Sequence, residues 1–286
     1  MHPDEPTIDP PLVRRLLVER CPAWADLPLR RVRSAGTDNA MYRLGDDMVV
    51  RLPRVGWAVD SITHEYEWLS RLAPHLPVAV PEPLALGEPT ADYPWPWAVY
   101  RWLDGENPTH VPPGFAQDIA GFVAELRGLR LPDPPVAGRG KPLATRDAAT
   151  REAIDALGDR VDTAAVTAVW ESALAAPPWD GDPVWVHADL SPGNVLVAEG
   201  KLSAVIDFSS TGVGDPAADL PVAWNLLPAR DRAEFRAVLG DDDATWERGR
   251  GLALSIALIQ LPYYWDTNPT LVANSWRVLG ELLASA

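Results

Sequence analysis

Lysine is nearly missing from this chain: only Lys141 and Lys201 occur among 286 residues. Positive charge is scarce in general, with 25 Lys+Arg against 40 Asp+Glu and a formal net charge of −15. That balance argues against nucleic acid and anionic lipid as partners, because both require a basic footprint. Cysteine occurs once, at Cys21, so an intrachain disulfide and a cysteine-paired zinc site are excluded, and the residue reads as a partly buried structural thiol. No apolar run approaches the roughly 20 residues that cross a bilayer. The start, MHPDEPTIDPP, is acidic and proline-rich rather than signal-like. These absences lead us to expect a soluble, cytoplasmic protein with no membrane or nucleic-acid partner; nothing in the sequence specifies an oligomeric state.

What is present suits a folded chain. Hydrophobic residues make up 47% and charged residues 23%, enough for a sizeable core in one large domain or two lobes. The acidity is uneven: residues 104–286 carry 14 Lys+Arg against 26 Asp+Glu. Such a region accommodates a cationic ligand, although an acidic surface also serves solubility alone.

The first hundred residues read mostly as strands. After a short helix from Leu12 to Glu19, two β-type runs flank Gly36, and a turn at Gly45-Asp46-Asp47 leads into a third strand, Met48 to Leu52. Ile62, Trp68, Leu69 and Leu72 recur at helical spacing, with Pro74 and Pro77 ending the segment. VAVPEPLALG and PWAVYRW add two extended segments, the second closed by Leu103-Asp104-Gly105. Beyond Gly105 the periodicity is helical: Phe115, Ile119, Phe122, Val123, Leu126 and Leu129 form one stripe, and Ala164 to Ala176 and Leu252 to Ile259 are further helices. Three short Val/Ile/Leu-rich runs, VWVHADL, NVLVAEG and LSAVIDF, interrupt them. The Pro-rich residues 131–142 read as a surface loop. The expected division is a small strand-rich lobe at residues 1–103 and a larger, mainly helical lobe at 104–286.

Those β-runs carry the most informative residues. His187-Ala188-Asp189-Leu190-Ser191-Pro192-Gly193-Asn194 is followed one hairpin later by Ile206-Asp207-Phe208. An isolated Asp or Asn ordinarily forms a turn or caps a helix; here order, spacing and the strand–loop–hairpin context agree on chemistry. The pattern resembles the catalytic and metal-binding loops of the aminoglycoside phosphotransferase family, relatives of choline kinase and, more distantly, of protein kinases.

The resemblance implies an α+β, bilobal protein-kinase-like fold and transfer of the γ-phosphate of ATP or GTP to a hydroxyl of a small molecule. Asp189 would accept the proton of, or orient, that hydroxyl. Asn194 and Asp207 would hold Mg²⁺ through hard oxygens. His187 would shape the loop, and Asp219, in Gly212-Val213-Gly214-Asp215-Pro216-Ala217-Ala218-Asp219, would brace it by accepting main-chain hydrogen bonds. Asp215 would cap the helix that Pro216 begins. Few residues separate Phe208 from Gly214, unlike the long activation segment of a protein kinase, so a protein substrate is disfavoured.

In the first lobe, Gly36, Thr37, Asp38 and Asn39 lie where a nucleotide loop is expected, although such a run is also an ordinary hairpin turn. The family's phosphate-binding lysine is replaced by Arg51, a permanent charge that forks onto phosphate oxygens. Glu65 would be its acidic partner, with Glu67 solvated. Tyr100 would back the purine pocket or serve the core, and main-chain groups of Arg101 and Leu103 would hydrogen-bond the base. In the C-terminal region, Trp265 and Asp266 are candidates for contact with a cationic acceptor. The acceptor implied is an aminoglycoside or similar antibiotic; alternatives are a choline-kinase-like metabolite kinase, a nucleotide-binding scaffold without transfer activity, and metal-centred hydrolysis, for which further ligands are lacking.

Overall fold

The computed structural model describes residues 6–32 and 38–284, and they fall into two compact units. One runs to Glu106 and includes Ser203–Ser209; the other comprises Asn107–Leu202 and the chain from Ser210 onward. The return of Ser203–Ser209 places Asp207 with the N-terminal strands.

The first unit opens with α1 (Pro10–Arg20), whose N-terminus is capped by Asp9 accepting the N–H of Leu12 at 2.9 Å. Five antiparallel strands follow: β1 (Leu29–Arg31), β2 (Asn39–Leu44), β3 (Met48–Pro53), β4 (Pro83–Gly87) and β5 (Trp97–Arg101), in the spatial order β1-β2-β3-β5-β4. The turn between β2 and β3 places Gly45 at φ 60°, a left-handed conformation that glycine adopts without steric cost. Strand β3 is central and buried at every position, while β2 alternates half-buried and buried residues, as one covered and one open face dictate. Tyr42, Leu44, Val50, Leu52, Trp97 and Val99 form the core with Leu12, Val13, Leu16 and Leu17 of α1; each such side chain contributes about 1.5–3 kcal/mol over exposure.

Helix α2 (Val59–Leu72) buries Ile62, Glu65, Trp68, Leu69 and Leu72. Their spacing puts a carboxylate inside an otherwise apolar stripe, whereas Glu67 is exposed.

The second unit contains α3 (Phe115–Gly128), α4 (Asp147–Leu157), α5 (Thr163–Ala175), β6 (Val184–Val186), β7 (Val195–Ala198), and then, after β8 (Lys201–Val205), β9 (Gly212–Gly214), α6 (Val222–Asn225), α7 (Arg232–Leu239), α8 (Asp243–Tyr264) and α9 (Pro269–Ala284). Strand β8 pairs with β7 and carries the chain across to the first unit. Strand β6 pairs antiparallel with β9. Helix α8 is longer than the apolar stretch Leu252 to Ile259 implies, starting at an Asp242 cap and continuing past Pro262. Helix α8 packs on α4, α5 and α9, and α3 on α7.

Residues 131–142 form an irregular, mostly exposed surface segment, as expected, and it is tied to β9 by main-chain bonds. Val213 N–H donates to the Pro135 carbonyl at 2.8 Å, Ala137 N–H to the Val213 carbonyl at 3.1 Å, and Asp215 N–H to the Gly140 carbonyl at 2.9 Å. Ala137 and Gly140 are buried. Pro135, Ala137 and Gly140 thus pair three main-chain groups of the run with β9 and Asp215.

Among the described residues, no helix is long and apolar enough to cross a membrane.

Candidate active site

In the second unit, residues 187–194 link β6 to β7, and their main chain is held by bonds from four directions. Asp219, fully buried, accepts His187 N–H on Oδ2 at 3.1 Å and Ala188 N–H on Oδ1 at 2.7 Å. Asn225 donates to the Leu190 carbonyl at 2.8 Å, and Asn107 donates to the carbonyls of Gly193 at 3.0 Å and Val195 at 2.9 Å. Arg139 donates to the Ala188 carbonyl at 2.9 Å. Burial pushes the Asp219 carboxyl up, opposed by His187, Arg127 and the two N–H groups.

These bonds sustain a left-handed backbone at Ala188, φ 64°, which costs a non-glycine residue about 1 kcal/mol or more and persists only where the surroundings over-determine it. The following carboxylate is thereby fixed. His187 is buried, and its Nδ1 accepts the N–H of Asp189 at 3.2 Å.

Asp189 retains 33% side-chain exposure. Asn194 Nδ2 donates to its carbonyl at 2.8 Å and to Oδ2 at 3.2 Å, which turns the Asn194 amide oxygen away as a hard donor. Arg139 donates to Oδ1 of the same carboxylate. Asp215 accepts Ala217 N–H at 2.9 Å and so caps the turn at Pro216, but it also forms a buried pair with Arg248, at 2.7 Å from Nε and 3.1 Å from Nη2.

In the first unit, Arg51, Glu65 and Asp207 are brought together. Arg51 Nη1 donates to Glu65 Oε2, and Nη2 lies 3.3 Å from Asp207 Oδ1. Glu65 Oε1 accepts the N–H of Phe208. Asn39, with its amide oxygen toward Arg51, accepts from Nη2 at 3.1 Å and Nε at 3.2 Å. Burial raises the Glu65 carboxyl to about 7, more than Arg51 lowers it, while Glu65 and Asp207 hold the Arg51 guanidinium more firmly charged. Asp207, at φ 63°, also accepts from Ser209 Oγ at 2.7 Å and is 37% exposed at its side chain. Its carboxylate is a hard oxygen donor; among the described residues no cluster of three or more His, Cys, Asp or Glu could hold a metal ion.

Tyr100 is buried with its hydroxyl unpartnered, and Glu65, Arg51 and Asp207 are among the charges that act on it, after burial, which raises its pKa. Arg101 takes its place in the sheet by donating its N–H to the Glu82 carbonyl at 2.9 Å, and Leu103 is half-buried just beyond β5. Asp38 accepts Arg54 N–H on its carbonyl at 2.7 Å. Gly36 and Thr37 lie outside the described residues.

Trp265 and Asp266 follow α8 and are exposed. The guanidinium of Arg160 lies 4.5 Å from the Trp265 ring centroid, so this ring already meets a cation of its own chain. Tyr263, in the last turn of α8, is 61% exposed.

Sequence reasoning missed Arg139, Asn107 and Asn225. Each acts through long-range bonds to main-chain carbonyls, which leave no periodic or spacing signal.

A five-stranded antiparallel sheet whose Arg51 on β3 pairs with Glu65 on α2, followed by a helical unit holding an Asp–Asn loop, defines a protein-kinase-like fold. The chain belongs to the phosphotransferase enzyme family, whose model matches residues 30–252. An aminoglycoside 3'-phosphotransferase of Escherichia coli is 42% identical over 59 residues, which is 21% of this chain and 22% of that protein; the chain thus matches about a fifth of this relative's length. Among solved structures, the GDP and kanamycin complex of APH(2")-IIIa superposes with a TM-score of 0.74 at 19% identity, covering 96% of this chain and 99% of the other. A macrolide 2'-phosphotransferase from Brachybacterium faecium gives 0.62 at 24% identity, covering 90% and 93%.

Proposed function

We propose that the protein transfers the γ-phosphate of ATP or GTP to a hydroxyl of a small antibiotic, with a cationic aminoglycoside the first candidate. The observation that carries this reading is the Asp189 carboxylate, held by Asn194 on a strained loop whose main chain is tied down by Asp219, Asn225, Asn107 and Arg139. Family membership and the names of the neighbours support it.

In this reading the acceptor oxygen attacks phosphorus, its O–H proton passes to Asp189, and the bond from phosphorus to the bridging oxygen breaks to release the nucleoside diphosphate. Mg²⁺, when bound, neutralises phosphate charge. Asp207 and Asn194 supply the oxygens that suit it. Arg51, oriented by Glu65 and Asn39, holds nucleotide phosphates, and Asp219 and His187 keep the Asp189 loop in shape. The Arg101 carbonyl and the Leu103 main chain would bond the base beside Tyr100, and Asp38 would serve the phosphates. A reaction fed by ATP or GTP belongs in the cytoplasm.

The test is phosphate transfer from labelled ATP and GTP to kanamycin, a macrolide and choline, with Asp189→Asn alongside. We expect antibiotic transfer in the wild type and a kcat at least about a hundredfold lower in Asp189→Asn, with nucleotide binding retained. Wild-type turnover in Asp189→Asn sinks the assignment of the base, and preferential transfer to choline replaces the antibiotic with a metabolite acceptor.

A further inference from the structure

The proline-rich run at 131–142 reaches β9 at main-chain distance, and the approach leaves no room for side chains. A Cβ on Gly212 would lie 2.7 Å from Ala137 N and Pro135 O, and one on Gly214 would lie 2.5 Å from Gly140 O. Between these anchors the tight turn Gly138–Gly140 projects Arg139, and the same guanidinium nitrogen that bonds the Ala188 carbonyl also bonds Asp189 Oδ1. The pair is largely shielded, with side-chain exposures of 28% and 33%.

We propose that Arg139 is a positioning residue for phosphoryl transfer: its guanidinium fixes the plane of the Asp189 carboxylate, and so sets which oxygen meets the acceptor hydroxyl. This rests on Asp189 being the group that receives that hydroxyl. Arg139 takes one lone pair of Oδ1, and Asn194 Nδ2 takes one of Oδ2 at 3.2 Å, leaving each oxygen a further site. Both bonds meet an ionised acceptor, but only Arg139 brings a positive charge to it, so the Arg139 arm dominates this clamp. Because the guanidinium also grips the carbonyl of Ala188, carboxylate and loop move as one body. Without it the carboxylate is held by a single amide on one side, and misplacement of about 1 Å at a reacting group lowers turnover on the order of a hundredfold.

The experiment compares Arg139→Ala, Arg139→Gln and Arg139→Lys with Asp189→Asn. It follows transfer to kanamycin and acceptor-free hydrolysis of ATP and GTP, in which water takes the hydroxyl's place. For Arg139→Ala, kcat should fall on the order of a hundredfold while the nucleotide KM stays within about twofold. Methylguanidine at on the order of ten millimolar should restore about a tenth of the lost turnover by refilling the clamp. Arg139→Lys should lie between, and Arg139→Ala should add less than about threefold to the loss already caused by Asp189→Asn.

Wild-type kcat in Arg139→Ala beside an inactive Asp189→Asn overturns the positioning role and leaves the proposed reaction standing. A raised nucleotide KM at unchanged kcat also overturns it, because Arg139 then serves phosphate binding. Full turnover in Asp189→Asn removes the base itself and the inference with it. Should Arg139→Ala lose its thermal transition, the Gln and Lys variants with wild-type melting carry the same comparison: equal turnover in both overturns the role, and Lys well above Gln supports it.

Discussion

Glu65 Oε1 accepts the main-chain N–H of Phe208 at 2.7 Å while its other oxygen takes Arg51, so one buried carboxylate sets both a cation and the backbone that follows Asp207. Arg51→Ala should therefore lower transfer on the order of a hundredfold, and Arg51→Lys should recover a good part of it, as a phosphate-binding cation at this position requires. Glu65→Ala should cost less turnover than Arg51→Ala. Steady-state kinetics on the three variants decide it: equal activity in all of them means that Arg51 does not meet the nucleotide.

Asp207→Ala should abolish turnover that depends on Mg²⁺, because a site with few protein ligands does not tolerate the loss of its carboxylate. A Mg²⁺ titration of nucleotide binding reads this directly, and an unchanged midpoint contradicts the role.

The Glu65 carboxyl also makes stability depend on pH in metal-free buffer. Folding raises its pKa from an ordinary 4.5 to about 7, so the folded chain binds this proton more firmly than the unfolded chain does. Its contribution is fully present below the unfolded value and is lost as pH rises through the folded one. Glu65→Gln should flatten the stability profile across that window, by at most about 3 kcal/mol. Denaturant unfolding of both proteins at a series of pH values shows whether their difference changes with pH; a constant difference refutes the shift.

Arg248 and Asp215 form a buried pair completed by the Pro177 carbonyl at 2.6 Å and Thr245 Oγ1 at 3.1 Å. Arg248→Met strands a carboxylate in the interior and should cost about 3–5 kcal/mol, whereas Arg248→Met combined with Asp215→Leu should recover most of that loss. Chemical denaturation measures both, and a single-variant loss below about 1 kcal/mol contradicts the pairing.

If the acidity of residues 104–286 draws a cationic acceptor, kcat/KM should fall as salt rises, since screening sets in over about 10 Å at 0.1 M. Asp266→Asn should raise the acceptor KM more than it lowers kcat. Salt-independent kinetics with a neutral acceptor leave the acidity to solubility and remove Asp266 from the site.

The strands of the first unit and helices α2 and α3 were legible because alternation in β2 and the stripes of α2 and α3 are local properties of the sequence. Helices α4, α7 and α9 were not named. Helix α7 spans only eight residues, and α4 places Asp, Thr and Arg among its apolar positions, which dilutes the period. The Asp189 and Asp207 loops stood out through spacing. Their left-handed residues did not, because Ala188 and Asp207 carry no glycine to announce a positive φ. Residues 131–142 were read rightly as irregular surface backbone, but their bonds to β9 were not legible, because proline and glycine say nothing about what that backbone touches.

The contact between residues 135–140 and β9 constrains how this chain diverges. With Gly212 facing Ala137 and Gly214 facing Gly140 at less than side-chain distance, neither stretch accepts a larger residue unless the other withdraws. Withdrawal takes Arg139 off Asp189. Variants that lengthen or enlarge either stretch should survive in descendants only as matched pairs of changes, so two segments some seventy residues apart are inherited as one unit.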